Sequence, residues 1–259
     1  MPSSMQNLAD VRMRNRDEPG VTALARHALA ELARRKAGSK GLSELYLARL
    51  RDVVRSADPE RRAALVAEME TGGIARDQIC DFYIPEVARR LGDDWCDDRA
   101  SFADVSIGAA RLQSMLRDIA LTSGERKEAP SSELTLLVTT GAHHTLGAMV
   151  LTGQLRRIGV SVRLMVGRPL DEVTDAAVQG RFDGILVSVA EADDLSQVTD
   201  TIAALRRLRP TRIPIIVGGG ILDRGAEQAR ACTGADFATN EIVRAIEICE
   251  SGMPGPHLP

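Results

Sequence analysis

From residue 134 onward the chain alternates five times between a short β-branched run and an amphipathic helical run. The apolar runs cover residues 134–139, 160–165, 184–189, 213–217 and 236–238, and helical patterns follow them at 145–157, 170–179, 196–207, 223–233 and 241–250. Strands separated by helix-length connections are not hairpins; they pair in parallel, and each crossover lays a helix on the sheet. The first run, LTLLVT, is apolar at nearly every position, as a strand covered on both faces requires. The expected fold is α/β, with a five-stranded parallel sheet of the flavodoxin-like, Rossmann-like type. Ligands of such sheets sit outside the carboxyl ends of the strands. There the loop GAHHTLG, residues 141–147, carries His143 and His144, half of the four histidines in the chain. A neutral imidazole in that place is a ready metal ligand.

Upstream the pattern is helical throughout. Periodic runs at 42–54, 59–70, 74–91 and 102–121 are broken at Asp58-Pro59, at Gly72-Gly73 and across 92–101. Leu45, Leu47, Leu50 and Val54 give the first run its helical pattern, and Pro59 opens the second beneath an Asp58 cap. Four helices with short connections predict a bundle. The polar, Pro-containing stretch TSGERKEAPSS, residues 122–132, reads as a linker, so the expected organisation is a leader at 1–40, a helical bundle at 41–122 and the α/β unit at 133–251. The leader is expected to be partly disordered, with one short helix near 21–35 that carries His27. Its eight Arg and Lys (Arg12, Arg14, Arg16, Arg26, Arg34, Arg35, Lys36, Lys40) outnumber its four acids, Asp10, Asp17, Glu18 and Glu31. The Gly- and Pro-rich end SGMPGPHLP reads as a tail, with an inert His257.

A net charge of -3 gives no global case for nucleic acid or membrane binding. The cysteines, Cys80, Cys96, Cys232 and Cys249, are dispersed and form no CxxC pair, so they predict neither a zinc site nor a disulfide framework. No signal-peptide pattern and no long apolar run is present, which makes the cytoplasm the expected compartment.

The strand ends discriminate among the ligands this fold can take. A dinucleotide site needs GxGxxG after the first strand, but the first glycines there are Gly141 and Gly147. A phosphoacceptor domain needs carboxylates at the ends of the first and third strands, where Thr139, Thr140 and Ser188 stand. What does line up is His144 with Gly147 in the first loop, Ser188 and Ala190 at the third strand end, and Gly218-Gly219 at the fourth. This set resembles the cobalamin-binding domain of methionine synthase and the corrinoid mutases, with its DxHxxG, SxL and GG pattern. The resemblance implies that His144 is the lower axial ligand of cobalt. Gly141, Thr145, Gly147, Ser188, Ala190, Gly218 and Gly219 then surround the cofactor and its nucleotide tail, and a tail threaded beside a strand needs residues without side chains. The family's Asp, two residues before the ligand, is replaced here by Ala142. A histidine lacking that carboxylate is expected to be a plainer ligand, which favours a protein that holds the cofactor over an enzyme that makes and breaks cobalt–carbon bonds.

The stretch IPEVARRLGDDW, residues 84–95, followed by FADV at 102–105, resembles the helical cap of light-sensing cobalamin regulators. It implies Trp95 over the upper face, with the positions of the family's Glu-His pair falling on Val105 and Ser106. With basic leader, cap helix and AHHTLG in place of the acidic motif, the whole chain resembles the AerR/PpaA family of purple-bacterial photosynthesis regulators. That likeness implies a non-enzymatic antirepressor that binds a CrtJ/PpsR-type repressor. It also implies adenosylcobalamin in the dark and hydroxocobalamin after light, with His27 as a candidate upper ligand and the leader as a candidate DNA contact. A corrinoid shuttle protein for methyl transfer and a direct DNA-binding regulator are the alternatives.

Overall fold

The computed structural model describes residues 41–122, 134–208 and 213–251. His27, His257, the leader and most of the linker lie outside the described residues. The helical part comprises α1 (Glu44–Arg55), α2 (Pro59–Thr71), α3 (Ile84–Cys96) and α4 (Phe102–Thr122). The caps follow the sequence: Asp58 Oδ1 accepts from the Glu60 N–H at 2.8 Å. At the start of α4, Ser101 and Asp104 each accept from the other's backbone N–H at 3.1 Å, a reciprocal box that closes two orphan donors.

The third helix departs from expectation at both ends. Its first turn, Arg76–Gln78, runs into a π turn at Ile79–Tyr83 placed directly before Pro85. Proline lacks an N–H and its ring crowds the carbonyl one turn back, so a widened turn accommodates it without ending the helix. At the other end α3 passes through Gly92 to Cys96 instead of stopping near residue 91. Asp94, 1% exposed, anchors the extra turn by ion pairs with Arg51, Arg55 and Arg99. These offset the helix penalty of Gly92, about 1 kcal/mol.

The α/β part runs β1 (Thr135–Thr140), α5 (Leu146–Arg157), β2 (Ser161–Val166), α6 (Leu170–Gln179), β3 (Gly184–Ser188), α7 (Leu195–Leu208), β4 (Ile215–Gly218), α8 (Ala226–Thr233), β5 (Phe237–Ala238) and α9 (Ile242–Ser251). All neighbouring strands are parallel, in the order β2-β1-β3-β4-β5, which is the flavodoxin-like order. β4 starts two residues later than its apolar run, since Pro214 has no N–H to give the ladder. The helix expected over 223–233 begins only at Ala226, after a 3-10 turn at Gly220–Arg224 and a break at Gly225, whose φ of 93° no ordinary residue adopts readily.

Alternate residues of the central strands bury into two cores. Leu137, Ile185, Val187 and Val217 pack with α6, α7 and α8, while Leu136, Val138, Leu186 and Ile216 pack with α5 and α9. α5 has a second apolar face. Leu146, Met149 and Val150 pack against the bundle core formed by Leu50, Ile84, Leu91 and Leu112. The bundle is thereby seated on the outer side of the first helix of the α/β part.

Candidate functional site

The strand order reverses between β1 and β3, the place where open α/β sheets form their ligand crevice. Thr140 and Ser188, the last residues of those strands, are register partners, so the loops that follow them face each other. The β1 loop carries His144, held locally by its carbonyl, which accepts from Thr140 Oγ1 at 3.3 Å. The β3 loop carries Asp193. The two meet: His144 Nδ1 lies 2.7 Å from Asp193 Oδ1. An ionised carboxylate only accepts, so Nδ1 carries the proton and the lone pair of the neutral ring stands on Nε2. The His144 side chain is 46% exposed, which leaves that lone pair open to an incoming metal.

This pairing corrects the expectation drawn from Ala142. The position two residues before the histidine does lack a carboxylate. Ala142 instead packs against Gly167, where an added Cβ would stand 3.0 Å from the Ala142 Cα and Cβ. A carboxylate comes instead across the crevice from the neighbouring loop, so the imidazole is not without an acidic partner.

A cavity of about 460 Å3 runs between α5 and the sheet, and neither His144 nor Asp193 lines it. Gly147, Ser188, Gly218 and Gly219 line it together with Asn240, and Asp81 and Pro85 of the bundle close one side. The glycines differ in kind. A Cβ on Gly218 would stand 2.8 Å from the Thr239 carbonyl oxygen, and one on Gly219, at φ 98°, 2.6 Å from that of Val189. Those two are dictated by the protein's own backbone. A Cβ on Gly147 would meet nothing nearer than Ser188 Oγ at 3.6 Å, so its missing side chain serves the cavity. Asn240 clamps the Gly219 peptide, accepting from its N–H at 2.6 Å and donating to its carbonyl at 3.2 Å. The volume falls within the range of small-molecule sites, and a long thin substituent fits a channel walled by glycine and aliphatic side chains.

A family model for the B12 binding domain matches residues 133–246. The chain is 34% identical over 180 residues to an uncharacterized 20.5 kDa protein in the bchF-crtJ intergenic region of Rhodobacter capsulatus, a match spanning 69% of this chain and 93% of that one. The chain belongs to the AerR/PpaA family of cobalamin-binding-domain proteins. Among solved structures, the monomethylamine corrinoid protein of Methanosarcina barkeri superposes with a TM-score of 0.61 at 14% identity, over 78% of this chain and 95% of that one, a likeness of fold. A cobalamin-binding protein from Desulfitobacterium hafniense DCB-2 aligns with 80% of this chain and 98% of its own at 14% identity, with a TM-score of only 0.40.

For an AerR/PpaA chain the residues present suit cobalamin: a half-exposed His144 imidazole on the β1 loop, and a cavity sided by Gly147, Gly218 and Gly219 between α5 and the sheet. Thr145 is buried and lines a second, larger cavity of about 650 Å3 between α5, β2 and the bundle. Gly141 is exposed beside Asp193, and the Ala190 N–H donates to Asp193 Oδ2 at 2.7 Å. Trp95 and Val105 line neither cavity; Trp95 is half exposed and stacks edge-on against Phe102 at 6.0 Å between ring centres. Cys80 lines the larger cavity, and burial pushes its thiol up to about 12, far from a reactive thiolate. Among the described residues no group of three or more His, Cys, Asp or Glu is arranged to hold a metal ion, and no helix is long and apolar enough to cross a membrane.

Sequence reasoning missed Asp193, Asn240, Asp81 and Arg157. The acidic run Glu191-Ala192-Asp193-Asp194 after the third strand was a usable signal, because the expected strand order already sets that loop beside the first. Nothing in the local pattern pointed to the other three.

Proposed function

We propose that the chain is a cytoplasmic, light-responsive cobalamin-binding regulator that acts without catalysis by binding a CrtJ/PpsR-type repressor of photosynthesis genes and relieving it. The observation that carries the cofactor half is a half-exposed His144 imidazole whose Nδ1 is held by Asp193, on the loop that leads into α5, the helix whose Gly147 lines a cavity with Ser188, Gly218 and Gly219. The regulatory half is supported by the relative's position in the bchF-crtJ intergenic region. Bound in adenosyl form, the cofactor would supply a light-sensitive cobalt–carbon bond. The protein's part is to present Nε2, to enclose the nucleotide tail beside Ser188, and to offer a bundle whose seat on α5 responds to what lies under it. A partner that favours one seating of the bundle is then coupled to the cofactor's upper face.

The carboxylate behind His144 favours the methyl-carrier alternative as a second reading, since a tuned imidazole also suits repeated cobalt chemistry. Titration with adenosylcobalamin in darkness, followed by green illumination, tests both. The expected result is a bound, light-bleached spectrum in the wild type and about tenfold or greater weakening in His144→Ala. Repressor–DNA complexes should be released by one light state more than the other. Methyl transfer from a co-purifying methyltransferase, with no effect on the repressor, would replace the regulator by the carrier.

A further inference from the structure

The geometry points to Asp193 as the positioning residue for the cobalt ligand, supplied from the β3 loop in place of the carboxylate missing at Ala142. This rests on the cobalamin reading above and deepens it. Both oxygens of Asp193 are engaged: Oδ1 accepts from His144 Nδ1 at 2.7 Å, and Oδ2 accepts from the Ala190 N–H at 2.7 Å. Its side chain is 15% exposed against 46% for the imidazole, so the carboxylate is the fixed partner and the ring the one being held. The loop that carries it is itself pinned. The Val189 N–H donates to the Gly218 carbonyl at 2.8 Å, the Ile221 N–H to the Val189 carbonyl at 3.1 Å, and Arg224 Nη2 to the Glu191 carbonyl at 3.1 Å. The same backbone that walls the channel at Gly218 and Gly219 therefore aims the ligand.

Two consequences follow from a carboxylate on Nδ1. It fixes the tautomer in which Nε2 is free, and it raises the electron density that Nε2 offers to a metal. A loop-bridging role alone would need only an oxygen for Ala190. Asparagine separates the two. In Asp193→Asn the amide oxygen still accepts from Ala190, but the amide nitrogen faces Nδ1 as a donor. Nδ1 must then accept, and the proton moves to Nε2, the atom the metal needs.

The test compares wild type, Asp193→Asn, Asp193→Ala and His144→Ala in two measurements. Nitrogen NMR of the cofactor-free proteins reads the His144 tautomer. Paramagnetic resonance of the complexes with cob(II)alamin reads the axial nitrogen of histidine. The expected result is an Nδ1–H tautomer and an axial nitrogen signal in the wild type. In Asp193→Asn, the tautomer is reversed and the histidine-ligated fraction falls about tenfold or more. Asp193→Ala should fall between them, because it frees the ring without pinning the wrong tautomer. An Asp193→Asn protein that keeps the wild-type tautomer and the full axial signal overturns the role of Asp193 alone. A wild type whose resonance matches His144→Ala overturns the cobalt-ligand reading, and the positioning role with it.

Discussion

α5 is packed on both faces, and the two faces are built on different physics. Toward the sheet it lies on an aliphatic core through Ala148 and Leu155, and the cavity left there opens where Gly147 has no side chain, beside the backbone of Gly218 and Gly219. Toward the bundle it packs Met149 and Val150, but its last residue, Arg157, reaches across to a charge. Arg157 Nη2 donates to both oxygens of Asp81, at 2.6 and 2.7 Å, and Asp81 sits on the π turn with only 2% of its side chain exposed. The bundle continues in this manner, through Arg90 to Glu44 and Glu86, Arg76 to Glu70, and three arginines around Asp94. One face is fixed by shape and backbone; the other adds a buried ion pair, Arg157 with Asp81, to its apolar contacts. A discrete ionic contact of this kind exchanges as a unit, whereas an interlocked core does not deform piecemeal.

The largest break is expected at the charged face. Arg157→Met removes the guanidinium from a buried carboxylate, an imbalance that costs about 3 kcal/mol. The denaturation midpoint should fall accordingly, and the double variant with Asp81→Asn should recover most of the loss, since the pair is costly to split and cheap to replace together. Equal losses in both single variants and an additive double would show that the two residues do not hold the seam as a pair.

The charged face was also the illegible one. Strand order, parallel pairing and the bundle could be read because each depends on periodicity and length, which a sequence displays directly. Arg157 and Asp81 are separated by 76 positions, and their meeting depends on how the bundle sits on α5, which no local pattern encodes. Asp193 was nearer to hand. Its loop follows the strand expected beside the first, yet the residues singled out at that strand end stop at Ala190, three positions short. The glycines were identified as a group, but their separate causes, a neighbour's carbonyl at Gly218 and Gly219 and an unstrained contact with Ser188 at Gly147, depend on the folded backbone. Gly92 misled in a smaller way, since the third helix passes through it and continues to Cys96.

On the shape-held face, the glycines provide an intermediate effect with opposite signs. Gly219→Ala forces a side chain onto φ 98° and against the Val189 carbonyl, which should lower stability by about 1–3 kcal/mol whether or not cobalamin is present. Gly147→Ala is unstrained in the first turn of α5 and should raise the stability of the cofactor-free protein by about 0.5 kcal/mol through helix propensity. The same change narrows the channel beside Ser188, so cobalamin affinity should drop while the fold improves. Thermal melts with and without the cofactor read both. A Gly147→Ala protein that is more stable and binds as tightly would mean that the tail does not pass there.

The smallest effect distinguishes the two faces by pH. Hydrogen bonds from Arg89 and then Arg90, against the opposing cost of burial, hold the Glu86 carboxyl down at about 2, compared with the ordinary 4.5. Its folded value lies below the unfolded one, so the stabilisation is fully present above pH 4.5 and is lost as the pH falls through about 2. Because Arg89 is 60% exposed, solvent screens the pair, and the contribution is held to about 1 kcal/mol or less. Wild type should therefore exceed Glu86→Gln in stability at pH 6, and the gap should close between pH 4.5 and 2. Followed by Trp95 fluorescence in the bundle and by amide exchange in the sheet strands, acid should loosen α3 while β1 and β3 keep their protection. Simultaneous loss of both signals would mean that bundle and sheet unfold as one unit, and that charge and shape are not separable supports in this protein.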